Sequence, residues 1–293
     1  IEGTPWSGRT LYDLYSEAFM PWDWQPELKK LTEQLGMHFF STAFDSSAVS
    51  FLEALDVPAF KIASFELVDL TLLRRVAQTG KPVILSTGMA TLAEIDEAVR
   101  TLRAGGATDL ALLKCTSAYP SPPEEMNLRA IPYLAAVFGT PVGLSDHTLG
   151  TAVPVAAVAL GACIIEKHLT LSREDPGPDS AFSLEPHEFR HMVESVRTAE
   201  KALGQVYFGL TERERESRVF RRSLFVVRDV QEGERLTPEN VRVIRPGYGL
   251  HPRHWDDVIG RYAARPIPAG TPLSWDLVSA APPTLRDAES GER

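Results

Sequence analysis

Apolar positions along the first two hundred residues of this chain fall into two alternating patterns. Short runs of consecutive apolar residues, "HFFST", "AFKIAS", "PVILST", "LALLKCT", "PVGLSD" and "CIIEKHL", read as strands. Runs of this kind suit strands buried on both faces. Between them lie segments with helical spacing. "DSSAVSFLEAL" opens on Asp45 as a cap, and "LVDLTLLRRVAQTG" stops at Gly80. "TLAEIDEAVRTLRAGG" carries a capping box of Thr91 and Glu94, with Leu92, Ile95, Val99 and Leu102 as its buried stripe. The last helix, "EPHEFRHMVESVRTAEKALG", turns Phe189, Met192, Val193, Val196 and Leu203 inward. Ahead of this rhythm, residues 10–36 read as helix broken near Pro21, with Tyr12, Tyr15 and Phe19 on one core-facing side.

Strands each followed by a helix mean a parallel sheet, either doubly wound or closed into a barrel. Polar residues at the strand ends decide between them. Every run finishes in such residues: Thr42, Ser64 with Glu66, Ser86 with Thr87, Thr116 with Ser117, Ser145 with His147, and Glu166 with His168. An open sheet needs chemistry only at the strands flanking its switch point. In a barrel every strand end faces one central site. The fold class expected is therefore α/β, a (β/α)8 TIM barrel. Since six such runs are read here, the chain is expected to lack the first two strands, its opening "IEGTPWSGRT" entering as a loop. The rhythm stops near Gln205. Residues 1–207 are expected to form the barrel domain and 208–222 a charged, helix-poor linker. Residues 223–280 read as a small β-rich domain and 281–293 as a disordered tail.

Composition changes this picture little: 44% hydrophobic and 24% charged residues are ordinary for a globular protein. The net charge of −9 argues against nucleic acid as a partner. No apolar run approaches the roughly 18 residues that span a bilayer, so a cytoplasmic protein with no membrane partner is expected. Cys115 and Cys163 both lie in strand-like runs and read as buried thiols.

The candidate chemistry starts with His147 and His168, which end successive strands 21 positions apart. One histidine after a strand is ordinarily structural; two on adjacent strands at one rim suit an open divalent site for Mn2+, Fe2+, Co2+ or Zn2+. Asp146 and Glu166, beside them, are expected to support these ligands. The hydroxyls of Thr42, Ser64, Ser86 and Ser145, with Lys61, make a cradle for phosphate or carboxylate. Asp179 lies on a Pro/Gly-shaped loop above the same rim.

Taken together, "KIASFE", "STGM", "LLKCTSAYP", "GLSDHT", "EKHLT" and "PGPDSAFSLEP" resemble the sialic-acid synthase family. Its members condense phosphoenolpyruvate with an acetamido-deoxy sugar to make nonulosonic acids. "RRSLFVV" and "IRPGYG" resemble that family's C-terminal antifreeze-like (SAF, β-clip) domain. The resemblance covers residues 8–280, and "GRTLYDLYSEAFMPWDW" with "SAFSLEP" is most similar to the branch that makes pseudaminic acid. It implies that His147 and His168 hold the metal, Mn2+ or Mg2+. It implies that Thr42, Lys61, Ser64, Ser86, Ser117 and Ser145 bind phosphoenolpyruvate, Ser117 standing where the sialic acid branch has Asn. Glu66, Glu166 and Asp179 would be catalytic, with Tyr119 and Asp179 facing the sugar. Arg245 would reach the sugar from the partner subunit of a domain-swapped homodimer. The family's "AEIG-NH-G" motif and its second-strand Lys are not found in this sequence. The reaction implied joins phosphoenolpyruvate to 2,4-diacetamido-2,4,6-trideoxy-L-altrose with release of phosphate. N-acetylneuraminate or legionaminate synthesis, and a non-catalytic carbohydrate-binding role, stand as alternatives.

Overall fold

Alternation along each strand divides the side chains into two sets, and this division positions everything that follows. In the computed structural model, which describes residues 7–282, the strands are β1 (Phe60–Ile62), β2 (Val83–Ser86), β3 (Leu110–Cys115), β4 (Val142–Asp146) and β5 (Ile165–Lys167). They form one parallel sheet in the order β1-β2-β3-β4-β5. Each strand joins the next with no reversal of order, so these five strands contain no switch point. The sheet curls as a half-barrel instead of being doubly wound. On one face Phe60, Ile62, Val83, Leu85, Leu110, Leu112, Val142 and Leu144 enter a single apolar core with the helices. The intervening residues, Lys61, Ser86, Cys115 and Ser145 among them, point to the other face.

The helices that cover the apolar face are α3 (Ser46–Ala54), α4 (Leu70–Ala77), α5 (Leu92–Ala104), α6 (Ala130–Phe138) and α7 (Ala152–Ala159), with α8 (Pro186–Leu203) packed on α7. Their starts follow local chemistry. Asp45 accepts from the Ala48 amide at 2.8 Å, and Asp69 accepts from those of Thr71 and Leu72 at 3.0 Å. Each such cap stabilises its helix by about 1 kcal/mol. The Thr91/Glu94 capping box forms as the sequence predicts.

Several expectations are corrected. The run at 38–42 makes only an isolated bridge, Thr42 to Lys61, since among the described residues β1 alone pairs with it. Helix α1 (Leu11–Ala18), which precedes α2 (Gln25–Gln34), buries Leu14, while Tyr12, Tyr15 and Phe19 are 82%, 63% and 62% exposed. Periodicity finds a helix face but not what covers it. Leu92, the first residue of α5, lies beyond the packed turns and is exposed. On α8 only Met192 is buried, and Val193 and Leu203 face outward. Cys115 is buried but Cys163 is exposed, because β5 begins two residues after it.

The chain divides into two compact units, residues 1–205 and 206–293. The second opens with α9 (Glu212–Ser217), which a capping box, Thr211 with Glu214, starts inside the stretch expected to be helix-poor. Its strands are β6 (Ser223–Val226) and β7 (Val241–Ile244), an antiparallel pair, followed by α10 (Trp255–Val258) and the short antiparallel pair β8 (Tyr262–Ala263) and β9 (Val278–Ser279). Leu224, Val226, Val241, Ile267 and Leu273 belong to a core of its own. The tail expected to be disordered lies, from residue 283 on, outside the described residues. No helix among the described residues is long and apolar enough to cross a membrane.

Candidate active site

The strand ends of the first unit bring most of the predicted residues together on the face opposite the helices. Lys61, in the middle of β1, is only 6% exposed. Its ammonium donates to Ser86 Oγ at 2.8 Å and to the Ile62 carbonyl at 2.9 Å, and lies 3.6 Å from Glu166 Oε2. Ser145 donates to the other oxygen of Glu166 at 2.6 Å. One carboxylate therefore links β1, β2, β4 and β5. Burial holds the Lys61 pKa below the ordinary lysine value, against the opposing pull of Glu166. Thr42 sits beside this group through its bridge to Lys61.

A second cluster of small groups adjoins it. Ser64 Oγ accepts from the Gly88 amide at 3.0 Å. A Cβ on Gly88 would fall 2.2 Å from Ser117 Oγ and 2.8 Å from Ser64 Oγ, so Gly88, Ser64 and Ser117 enclose a space that any side chain would fill. Glu66 follows in the short turn Ser64–Val68, where burial raises its carboxyl above the usual range. Its Oε2 is buried with no hydrogen-bond partner.

His147 and His168 converge, their ring centroids 5.3 Å apart and their planes 67° apart. Tyr119 packs on both, at 4.3 and 6.2 Å, and Phe182 backs Tyr119 and His168 at 5.1 and 5.3 Å. Burial and the negative groups at Cys115, Asp179 and Glu166 push the Tyr119 phenol up to about 12. Asp179 Oδ2 approaches His168 Nδ1 at 3.5 Å from the loop above. That loop is tied down at its base. Leu184 and Thr170 pair across it, and Arg173 donates to Glu188 Oε1 at 3.0 Å on α8. Arg173 and the Glu185 amide together hold the Glu188 carboxyl near 2.

The direct bond expected from Asp146 to His147 is made by a backbone carbonyl instead. Asp146 points to the helix face, and His147 Nδ1 meets the Thr116 carbonyl at 2.9 Å. That bond places the proton on Nδ1 and leaves the Nε2 lone pair open, the state a metal-ligating imidazole needs. The two imidazoles thus fit a divalent ion, yet no group of three or more His, Cys, Asp or Glu side chains among the described residues surrounds one. Further ligands would come from solvent or substrate.

Two neighbours carry no site-like signal in the sequence. Cys115 Sγ lies 4.0 Å from His147 Nδ1 and 3.7 Å from Ser117 Oγ. Burial raises the thiol, but hydrogen bonds with His147, Ser64 and Ser117 outweigh it and bring it to about 7. Phe182 reads as an ordinary apolar residue; only its place in "SAFSLEP" marks it. Arg245 follows β7 in the second unit and is exposed.

Comparison with known proteins accounts for both units. The NeuB family model matches residues 1–207 and the SAF domain model residues 221–279. The chain is 44% identical over 277 residues to the pseudaminic acid synthase of Helicobacter pylori, covering 94% of this chain and 82% of that protein. To the pseudaminic acid synthase of Campylobacter jejuni it is 42% identical over 273 residues, covering 93% and 80%. The solved N-acetylneuraminic acid (sialic acid) synthetase of Leptospira borgpetersenii superposes with a TM-score of 0.66 at 35% identity, covering 70% of this chain and 72% of that one.

Proposed function

Because this chain belongs to the NeuB family, we propose that it is a pseudaminic acid synthase, a transferase that joins phosphoenolpyruvate to 2,4-diacetamido-2,4,6-trideoxy-L-altrose and water and releases phosphate. The observation that carries the chemistry is a buried lysine and a carboxylate–hydroxyl network at the same rim as two converging histidines. The relatives at 42–44% identity carry the choice of branch. The order of the sheet supports reading it as part of a (β/α)8 barrel.

Phosphoenolpyruvate would bind with its phosphate and carboxylate on Lys61, Ser86, Ser145 and Thr42 and in the space between Ser64, Gly88 and Ser117. The anion replaces Glu166 as the partner of Lys61, which frees the carboxylate to accept a proton from the water that adds at C2. C3 of phosphoenolpyruvate bonds to the sugar aldehyde carbon, and the C2–O bond to phosphate breaks after water has added. His147 and His168 are the residues that would hold Mn2+ or Mg2+, which when bound supplies Lewis acidity toward the aldehyde oxygen. Glu66, whose carboxyl burial keeps protonated to higher pH than usual, would donate the proton the new hydroxyl needs. Tyr119 and Asp179 line the sugar's side, and Arg245 would reach the acetamido sugar from the partner subunit in a domain-swapped homodimer. A cytoplasmic location follows from this role in sugar-acid synthesis.

The test is phosphate release from phosphoenolpyruvate with each acetamido sugar in turn, with divalent metal and after chelation. Turnover with the altrose-configured diacetamido sugar, lost on chelation and restored by Mn2+, is expected. Turnover with N-acetylmannosamine but not with that sugar would assign the chain to sialic acid synthesis.

A further inference from the structure

A charged pair at the strand ends takes no part in the chemistry above. Asp146 closes β4, Lys167 closes β5, and the two are register partners. Both side chains are fully enclosed, at 0% exposure. By strand alternation they belong to the helix-facing set, whose other members here, Val142, Leu144 and Ile165, are apolar. Lys167 Nζ donates to Asp146 Oδ2 at 2.6 Å and to the carbonyl of Thr148. Asp146 Oδ1 accepts from the Thr148 amide at 2.9 Å and from its hydroxyl at 2.8 Å.

An ion pair inside an apolar layer is weak support for stability, since desolvation offsets the attraction and well-packed apolar residues often do as well. The best attested use of such a pair is to fix a register. Here the β4–β5 ladder ends at the rung Asp146↔Lys167. Each histidine is the next residue on its strand and turns to the opposite face. Backbone pairing between these two strands holds nothing above that rung. Asp146 and Thr148 bracket His147, both are bonded to Lys167, and Lys167 precedes His168.

Resting on the reading that these histidines hold a divalent ion, we propose that Asp146 and Lys167 are positioning residues. Through Thr148 they set the separation of the two imidazoles. The ion pair acts from behind the sheet and touches neither substrate nor metal.

The test compares the full chain with Asp146→Asn, which strands the ammonium, and with the double variant Asp146→Leu/Lys167→Met, which removes both charges. Mn2+ affinity is measured by electron paramagnetic resonance at a temperature where circular dichroism shows each protein folded. The double variant is expected to fold and to bind Mn2+ at least tenfold more weakly than the wild type, with kcat reduced more than the phosphoenolpyruvate KM is raised. A folded double variant with wild-type Mn2+ affinity overturns the proposal. So does failure of both variants to fold at any temperature, which would make the pair a stability element. His147→Ala is the control for the metal reading. If the wild type binds no Mn2+, or His147→Ala binds it equally well, that reading fails separately. The imidazole 15N resonances of His147 and His168 then decide: a shift in the double variant supports the positioning role, and unchanged resonances overturn it.

Discussion

At the scale of single residues, the site is specified as much by what is small as by what is charged. Gly88 has no strained backbone to explain it, but a Cβ there would meet Ser117 Oγ and Ser64 Oγ at 2.2 and 2.8 Å. Gly88→Ala is expected to fold normally, displace both hydroxyls and raise the phosphoenolpyruvate KM at least tenfold, as read by steady-state kinetics. Lys61→Met should lose phosphoenolpyruvate binding more completely, since it leaves Glu166 without its buried cation. Glu66 offers a test in pH. Its folded carboxyl titrates above the ordinary range because of burial, so the folded state holds a proton that the unfolded chain has already released. The stability it contributes is present at low pH and is lost as pH rises through the raised value. Glu66→Gln should therefore raise the Tm at pH 8 and lose that advantage by about pH 4, below the ordinary carboxylate range. A Tm difference independent of pH would show that Glu66 is not titrating in the fold.

At the scale of elements, the sheet depends on close approach between β4 and β5. A Cβ on Gly143 would fall 2.4 Å from the Ile164 carbonyl oxygen and 2.7 Å from Leu113 Cδ2. Gly143→Ala should consequently destabilise the protein by about 1–3 kcal/mol, the usual range for overpacking, measured by urea unfolding. How far the elements are legible in the sequence depends on whether their cause is local. Helices opened by Asp45 or by Thr91 with Glu94 are legible, because the cap and the amide that donates to it lie within four residues. The five strands and their polar ends are legible for the same reason, since each is a short continuous apolar run closed by polar residues. The faces of α1 and α8 are not, because burial is decided by distant chain. Sequence adjacency misleads at Asp146: next to His147 in the chain, its side chain lies on the other side of the sheet, bonded to Lys167. The Thr116 carbonyl that orients His147 comes from just beyond the end of β3, and no pattern in the sequence marks a backbone acceptor.

At the scale of the whole molecule, two units each close their own core. Arg245, exposed after β7, adds nothing to either. Arg245→Ala should leave thermal unfolding unchanged while raising the sugar KM far more than the phosphoenolpyruvate KM. Equal effects on both would remove it from sugar recognition. The two-faced strands of the first unit also constrain how this chain can change in length. Losing one codon within β4 ahead of Ser145 would turn Ser145 and His147 into the helix layer and bring Asp146 out to the rim. A one-residue insertion in the loop ahead of Asp179 would disturb only that loop. A scan of single-codon deletions should therefore find β4 and β5 intolerant at every position, including those where most substitutions are accepted. Removing two residues keeps each side chain on its own face and lowers the rim by one pleat, about 6.6 Å. Within its strands, this sheet can lengthen or shorten only in even steps.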